Sequence, residues 1–269
     1  MAAGLESAKK RVREDGSGAK GEERRTRVWT TLDGKGREAI EAEAKEILGG
    51  EGGAGGRLHG LLCDVASLVE EYWPEEAQCA PSVLLGRFAE VVTKDALRRG
   101  EVNPVVSTVP ARLGDVVFAA MECMRKLELY IRLRVPPVED GNNFGVDVQA
   151  SVMDYVVQSR SSLSHYLDSL KEYHWIRGNA MEKFGVETSE ETSKVDSGAQ
   201  TKKSGTKGYS QIDDFVRYVL TLDTRYFLQF RNMSMDIHDM ILQCLDLVGK
   251  NRDKMEHPRG GEEARHNMY

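Results

Sequence analysis

The chain of 269 residues has 40% apolar residues, enough for one large domain or two small ones with a packed core. Its 43 acidic and 37 basic residues give a formal net charge of −6, and this mixed balance argues against a protein built mainly to bind nucleic acid. Four cysteines lie far apart without a CxxC pair. We therefore expect reduced thiols, mostly in the core, rather than a zinc ribbon or a disulfide scaffold.

Residues 1–33 are charged, contain several glycines and show little periodicity, a composition typical of a disordered tail. The run KKRVR at residues 9–13 has two interpretations, a nuclear localisation signal or a solvated basic patch. The first residues lack the apolar core of a signal peptide, and the longest apolar run, residues 116–121, is too short to cross a bilayer. We expect a soluble protein of the cytoplasm, the nucleus or both.

A first helix is predicted at about residues 35–72, from the helix-forming sequence REAIEAEAKEIL and the helical pattern GRLHGLLCDVASLVEEY. The glycines between these two stretches predict a kink or a break. Gly50, Gly52 and Gly55 also have the spacing GxGxxG, but a dinucleotide-binding fingerprint needs a preceding strand, and helical sequence precedes these glycines. Residues 73–106 are predicted to be a connecting segment with one short helix, LLGRFAEVVTKDALRR.

Three long amphipathic helices are predicted at about residues 108–134, 146–184 and 210–257, because apolar residues recur in each at spacings of three and four. The stripes consist of Leu113, Val117, Ala120, Met124, Leu127 and Ile131; of Val148, Val152, Tyr155, Ser159, Leu163, Tyr166, Leu170 and Tyr173; and of Ile212, Val219, Tyr226, Phe230, Met233, Ile237, Met240, Cys244 and Leu247. The last helix begins at Ser210, with Asp213 in the position of a capping-box partner.

Residues 185–208, between the last two helices, have two valines as their only large apolar residues, and this composition predicts a flexible loop. Helices of about 30 to 45 residues would be about 45 to 65 Å long, so they need partners along their whole length. No segment has the sustained alternation of a strand. The sequence therefore predicts an all-α fold, an elongated four-helix bundle spanning residues 34–269.

The sequence contains no HExxH, GxSxG or GxxxxGK[ST] motif. The six histidines are scattered; His165 and His174 lie nine apart on one predicted helix, where metal ligands would be three or four apart. Acidic residues are abundant, as on any solvated helix surface, and no catalytic pair stands out. We therefore expect no metal and no cofactor, and no catalytic residue can be singled out.

The stretch RVPPVEDGNNFGVDVQ, residues 134–149, carries more turn-forming residues than a helix connection requires. Pro136 and Pro137 fix their own φ angles and disfavour helix before them, which ends the preceding helix sharply. Gly141 and Asn142 can adopt left-handed conformations, and an asparagine can cap the helix that follows. We predict a rigid turn at residues 135–145 that is specified for contact with a partner.

VPPVEDGNNFGVDVQ resembles the activation loop of the 11S (REG) proteasome activators, and HPRGGEEARHNMY, residues 257–269, resembles the C-terminal end of that family. The similarity covers roughly residues 105–269 and is most specific at residues 139–146. The resemblance implies a helical bundle that assembles into a ring, expected here to be a homoheptamer. It also implies that the ring caps the α-subunit end of the 20S core proteasome and opens its gate without ATP.

The resemblance assigns roles to two sets of residues. The activation loop that opens the gate comprises Glu139, Asp140, Gly141, Asn142, Asn143, Phe144 and Gly145, with Asn142 at its tip and Pro136 and Pro137 as stiffening residues. The C-terminal tail, residues 258–269, docks between proteasome α subunits through Asn267, Met268 and Tyr269, with the Tyr269 carboxylate as anchor.

Three features depart from the family pattern. Pro137 stands where a basic residue is usual, Asn267 stands where an aliphatic residue is common, and residues 73–106 do not resemble the family's Lys/Glu insert. Two other classes of function remain open at this stage. One is a helical oligomeric adaptor without proteasome-activating activity, and the other is a helical hydrolase whose site cannot be recognised in one sequence.

Overall fold

The structure is a computed structural model that describes residues 34–50, 55–75, 79–137, 143–184 and 213–259. Within these ranges the chain forms ten α-helices and no strand, which confirms the predicted all-α fold. The helices are α1 (Gly34–Leu48), α2 (Arg57–Tyr72), α3 (Pro81–Val91), α4 (Lys94–Arg98), α5 (Pro104–Ser107), α6 (Val109–Arg134), α7 (Phe144–Leu170), α8 (Glu172–Phe184), α9 (Asp213–Lys250) and α10 (Arg252–Glu256).

Four arms make up the bundle: α1 with α2, α6, α7 with α8, and α9 with α10. The first arm runs antiparallel to α6. Glu43 of α1 pairs with Lys126 near the end of α6 at 3.2 Å, whereas Glu71 at the end of α2 pairs with Arg112 near the start of α6. With 38 residues, α9 is about 57 Å long at 1.5 Å per residue, so the bundle is elongated.

The third arm is antiparallel to both of its neighbours. Only residues 135–143 join α6 to α7, and Arg160 Nε of α7 lies 2.9 Å from the Glu128 carboxylate of α6. On the other side, the Tyr155 hydroxyl of α7 donates to the carbonyl oxygen of Met240 in α9 at 3.1 Å. It follows that α6 and α9 are parallel.

The apolar stripes predicted from the sequence form the core. Every residue of the first stripe is at most 1% exposed, and the second and third stripes are buried or half-buried wherever they fall within the described residues. Tyr173, Phe230 and Tyr226 stack against one another, with ring centroids 5.5 to 6.1 Å apart. Burial of these faces against one another is what holds long helices of modest intrinsic propensity together.

The first arm is broken at the glycines, which decides between the predicted kink and the predicted break. Gly49 and Gly55 have φ of 74° and 76°, a conformation that favours glycine. A Cβ on Gly56 would lie 2.6 Å from the backbone nitrogen of Gly49, so the two helix ends approach too closely for a side chain. The helix expected at residues 35–72 is therefore two helices, α1 and α2.

Other helix bounds also differ from the predicted ones. The connecting segment 73–106 contains three short helices instead of one, because Thr93 accepts a hydrogen bond from Ala96 N at 3.2 Å and thereby starts α4 as a separate helix. The third arm begins at Phe144 and is divided at Lys171. The last arm ends α9 at Lys250 before the short α10, and Ser210 of the predicted capping box lies outside the described residues.

A buried ion pair lies at the end of the bundle opposite to the α6–α7 connection, which we call the far end. Asp223 of α9 accepts hydrogen bonds from the Tyr173 hydroxyl and from Arg177 Nε, both at 3.0 Å. Arg177 also donates to the carbonyl oxygen of Glu101 at 3.1 Å. Burial raises the pKa of Asp223 above its ordinary value, although Arg177 favours the charged form. These contacts join α8, α9 and the connecting segment.

The four cysteines differ in burial. All four are free, but only Cys123 and Cys244 are buried; Cys63 is exposed and Cys79 half-buried.

The segment Pro104–Arg134 is long and apolar enough to cross a membrane by length and composition. The uninterrupted apolar runs of the sequence are shorter and did not reveal this property. This is weak evidence for a membrane span, because core helices of soluble proteins have the same property. In this bundle one face of that segment belongs to the core.

Candidate functional site

The two flanks of the predicted loop, residues 135–137 and 143–145, lie at the same end of the bundle as the chain that leads into the predicted tail, and we call this end the loop end. Here α6 ends, α7 begins, and α10 is followed by the turn at residues 257–259. We call residues 255–259 the C-terminal stem. Seven predicted site residues lie outside the described residues, namely Glu139, Asp140, Gly141, Asn142, Asn267, Met268 and Tyr269. The site can be built from the two flanks of the loop and from the stem.

The first flank of the loop leaves α6 abruptly. Val135 has φ −63° and ψ 121°, an extended conformation that the residue before a proline favours. Pro136 is half-buried and Pro137 is exposed. Two successive prolines remove two backbone donors and fix two φ angles, so this flank has little conformational freedom.

The second flank is the start of α7. Asn143 occupies the N-cap position, but its side chain makes no capping hydrogen bond, so the side-chain cap considered for an asparagine of this turn is not made by Asn143. Its backbone oxygen instead accepts from the amides of Val146 and Asp147 at 2.9 and 3.0 Å. The Phe144 side chain is 66% exposed at the first helical position. This flank thus presents an aromatic ring on a hydrogen-bonded first turn.

Gly145 packs directly against the C-terminal stem. A Cβ at this position would lie 1.9 Å from the carbonyl oxygen of Pro258 and 2.7 Å from its Cα. Distances below 3.0 Å cannot be accommodated without moving the backbone, since both neighbours here are main-chain atoms. Gly145 is buried, and only glycine permits this approach of the first turn of α7 to the stem.

A hydrogen bond joins the stem to the other flank as well. Arg259 Nη2 donates to the carbonyl oxygen of Pro137 at 2.6 Å. A guanidinium donor makes this bond stronger than one between neutral groups. The stem therefore contacts both flanks of the loop, at Pro137 before it and at its last residue, Gly145.

Gln149 forms a buried bridge beneath these contacts. Its Nε2 donates to the carbonyl oxygen of Met255 at 2.9 Å and, at 3.4 Å, to that of Arg134. The side chain is fully buried, although glutamine is mostly an exposed residue. One amide group thus links the end of α6, the start of α7 and the stem.

Arg134 completes the loop end. Its guanidinium donates to the carbonyl oxygen of Glu256 at 3.5 Å, pairs with Glu41 of α1 at 2.9 Å and lies 4.9 Å from the ring centroid of Tyr130. Burial raises the pKa of the Tyr130 hydroxyl, and the nearby Arg134 charge opposes this rise. The first arm is thereby fastened to the same end as the loop and the stem.

A surface groove of about 350 Å³ lies beside the first flank and is lined by Arg37, Ile40, Glu41, Tyr130, Leu133, Arg134, Val135, Pro136 and Pro137. The polar groups that surround the loop flanks are guanidinium, amide, phenol and backbone carbonyl groups and the carboxylate of Glu41. Such groups bind and position a partner. Among the described residues there is no cluster of three or more potential metal ligands.

The sequence predicted a loop and a tail, but it did not predict the contacts between the flanks of the loop and the stem. Gln149 had a signal that was overlooked: it precedes Val152, Val156 and Ser159 at helical spacing, and this spacing places its amide group on the buried face. Arg259 had none, because its partner Pro137 lies 122 residues earlier in the chain.

The family model for the C-terminal part of the proteasome activator PA28 matches residues 101–191 and 197–265, which is more than half of the chain. Subunit 3 of the human proteasome activator complex is 22% identical over 139 residues, as is the chicken subunit. The match covers 52% of this chain and 46% of the human subunit, so it spans about half the length of these relatives.

Solved structures share the fold. The 11S subunit PA28 of the Plasmodium falciparum proteasome matches with a TM-score of 0.61 at 19% identity, over 84% of this chain and 92% of the other. A chain from a proteasome–11S activator complex matches with a TM-score of 0.53 at 13% identity, over 88% of this chain and 95% of the other. The family-model match extends over α6 to α10 and both flanks of the loop, and by this match the chain belongs to the PA28 family of proteasome activators.

Proposed function

We propose that this protein activates the 20S core proteasome without ATP. The chain would assemble into a homoheptameric ring that caps the α-subunit end and opens the gate, so that peptide hydrolysis by the proteasome increases. One observation supports this function most strongly: the flanks of the loop and the stem lie together at one end of the bundle. In a ring of parallel protomers, every loop and every tail would then face the same surface of the partner.

Within this function the tail holds the partner. The proposed docking residues are Asn267, Met268 and Tyr269. A short segment of this kind would bind alone with millimolar affinity, worth about 4 kcal/mol. Several copies on one rigid ring raise the effective concentration of each remaining tail, and the avidity can exceed the affinity of a single tail about 100-fold or more.

The loop carries out the second step. Glu139, Asp140, Gly141, Asn142, Asn143, Phe144 and Gly145 form the proposed activation loop, with Asn142 at the tip that displaces the gating segments. A loop that moves a partner backbone must not deform when it makes contact, since any flexibility would cost binding free energy. The stiff residues Pro136 and Pro137, and the packing of Gly145 on Pro258, support such a loop.

The remaining parts of the proposal follow from this one. Residues 34–269 form the activator bundle, and residues 1–33 are a charged N-terminal tail outside it. The protein itself is not catalytic and takes no cofactor or metal, because the hydrolysis is carried out by the proteasome. It acts where its partner is found, in the cytoplasm, the nucleus or both.

The direct experiment measures hydrolysis of short fluorogenic peptides by purified 20S proteasome, with and without this protein and in the absence of ATP. We expect stimulation that saturates with the concentration of the protein. If cognate proteasome preparations bind the protein without any stimulation, the protein is a helical adaptor and not an activator. Peptide hydrolysis by the protein alone would instead indicate a hydrolase.

Two variants separate the roles of loop and tail. Asn142→Tyr should form rings and bind the proteasome normally but should not stimulate it. Deletion of residues 267–269 should abolish binding itself, measured by co-sedimentation with the proteasome. Normal stimulation by Asn142→Tyr would show that the loop is assigned incorrectly, and normal binding by the truncated protein would show the same for the tail.

A further inference from the structure

The C-terminal stem contacts the loop on both flanks, and this arrangement goes beyond what attachment of a docking tail requires. Before the loop, Arg259 Nη2 holds the carbonyl oxygen of Pro137 at 2.6 Å. At the last residue of the loop, a Cβ on Gly145 would lie 1.9 Å from the carbonyl oxygen of Pro258. A tail that served only as a tether could leave the bundle from any point on the end of α9.

The position of Arg259 in the chain links docking to the loop. Ten residues follow it up to Tyr269, and they can span at most about 35 Å when fully extended. Any force or restraint on a docked tail is therefore transmitted first to the stem. Because the stem contacts both flanks, a shift of the stem would move the flanks of the loop with it.

The Pro137 carbonyl is a suitable place for such a contact. It lies beyond the last turn of α6, so it is not an acceptor within that helix. Outside the helix this oxygen is free to accept a hydrogen bond from a side chain in place of water. Arg259 provides a charged donor, and its planar guanidinium can fix the direction of the carbonyl as well as its position.

We infer that the C-terminal stem is a bracket that sets the position of the activation loop, and that Arg259 is its positioning residue. When the tail is docked, the stem would hold the loop in the position that activation needs. Activation would then require contact between the stem and the loop, in addition to the presence of the tail and the loop. This inference rests on the proposed function, since it concerns how the two parts of that function are coupled.

The test compares Arg259→Met with Arg252→Met as a matched control. Arg252 lies seven residues earlier at the same end of the bundle, and its Nε pairs only loosely with Glu256, at 3.7 Å. Stimulation of peptide hydrolysis is measured over a range of activator concentrations. This gives both the maximal stimulation and the concentration at half-maximum, after native mass and thermal unfolding have shown intact rings.

For Arg259→Met we expect the maximal stimulation to fall about three- to tenfold, the change in population expected from the loss of one hydrogen bond that is weakened by exposure to water. The concentration at half-maximum should change less than about twofold, because the docking residues are intact. Arg252→Met should match the unmodified protein, and Arg259→Lys, which keeps one charged donor, should restore part of the loss. An unchanged maximum, or a change only in the half-maximal concentration, overturns the inference.

A second measurement needs no proteasome and separates this inference from the proposed function. Hydrogen exchange is followed in the free ring at the amides of Val146 and Asp147, which bond to the Asn143 oxygen in the first turn of α7. Without Arg259 these amides should exchange about tenfold faster, whereas Arg252→Met should leave them unchanged. Unchanged exchange in Arg259→Met refutes the bracket even if the protein is an activator. Faster exchange together with no stimulation by the unmodified protein supports the bracket and refutes the proposed function.

Discussion

The two ends of the bundle are held together by different kinds of contact. At the far end, the charged side chains of Asp223 and Arg177 bond to each other, at 0% and 4% exposure. At the loop end, the side chains of Arg259, Gln149 and Arg134 bond to backbone carbonyl oxygens. The first arrangement fixes helices relative to each other, whereas the second fixes the path of the chain between helices.

Because of this difference, we expect the contacts at the far end to matter mainly for stability and those at the loop end mainly for function. A buried ion pair is costly to break, because removal of one partner leaves the other charged and without water. The bonds to backbone carbonyl oxygens at the loop end contribute less to the free energy of unfolding, but they position the flanks of the loop and the stem. Substitutions at the far end should therefore unfold the protein, and substitutions at the loop end should mainly alter what the folded protein does.

The strongest test of this contrast is Asp223→Ala at the far end. It should lower the free energy of unfolding by about 3 to 5 kcal/mol, because Arg177 is left buried without its carboxylate. Denaturant unfolding at a fixed protomer concentration measures the loss, since the proposed ring assembly would make stability depend on concentration. The control is Asp246→Ala, which removes an exposed ion pair with Lys250 and should cause no resolvable change. A loss below about 1 kcal/mol for Asp223→Ala would contradict the role given to the far end.

Gly145→Ala is the corresponding test at the loop end. The new methyl group would collide with Pro258, and we expect a loss of about 1 to 3 kcal/mol in unfolding free energy together with a larger loss of stimulation than in Arg259→Met. The control is Gly178→Ala in α8, where an added Cβ meets no atom within 4 Å and should be neutral or stabilising. Full stimulation by Gly145→Ala would mean that the stem and the loop are not in functional contact.

Gln149→Met addresses the buried bridge beneath the loop. The carbonyl oxygens of Met255 and Arg134 lose their common donor, and we expect destabilisation by about 1 to 2 kcal/mol. Stimulation should fall in the folded protein. Gln158→Met, on the exposed face of the same helix, is the control for both measurements. Equal unfolding midpoints for the two variants would show that this amide group does not support the loop end.

Tyr166→Phe, between the two ends, gives the smallest expected effect. Burial and the hydrogen bond to Asp236 raise the pKa of Tyr166 to about 12. Because the pKa is higher in the folded state, this group stabilises the fold below pH 10, and the contribution is lost as the pH rises from about 10 to 12. Over this interval the free energy of unfolding of Tyr166→Phe should therefore fall less steeply than that of the unmodified protein. The difference should be under about 1.4 kcal/mol per pH unit, since the ring is partly exposed.

Denaturant midpoints at pH 8, 10, 11 and 12 measure the Tyr166 effect. Tyr218→Phe, at a ring that is 49% exposed, is the matched control. Parallel curves for Tyr166→Phe and the unmodified protein would exclude a coupling of this hydroxyl to folding. The two ends of the bundle would then be compared without any contribution from this hydroxyl.

The core could be predicted from the sequence because helical periodicity records burial directly, as the stripe from Leu113 to Ile131 illustrates. Breaks in the helices were harder to predict. The glycines near residue 50 were compatible with a kink, and the close approach of Gly56 to Gly49 depends on how the two helices pack. Local patterns contain no information about such packing.

The candidate site was predictable only in part for the same reason. Pro136 and Pro137 act locally, and their effect on α6 follows from their covalent structure. The contacts of Arg259 and Gly145 join residues that are more than 100 positions apart, so neither residue type nor spacing indicates them. Asn143 shows a second limit: its position as N-cap is typical, yet its backbone and not its side chain holds the first turn.

The parallel arrangement of α6 and α9 has a consequence for how this chain can vary. Met124 meets Cys244 at a separation of 120 residues, and Arg134 meets Glu256 at 122, so the two helices keep a nearly constant register up to the loop end. Residues 185–212 connect the end of α8 to the start of α9, and both of these helix ends lie at the far end of the bundle. Residues can therefore be added or removed between 184 and 213 without shifting this register. A single insertion within α6 would instead turn the loop by about 100° relative to the stem.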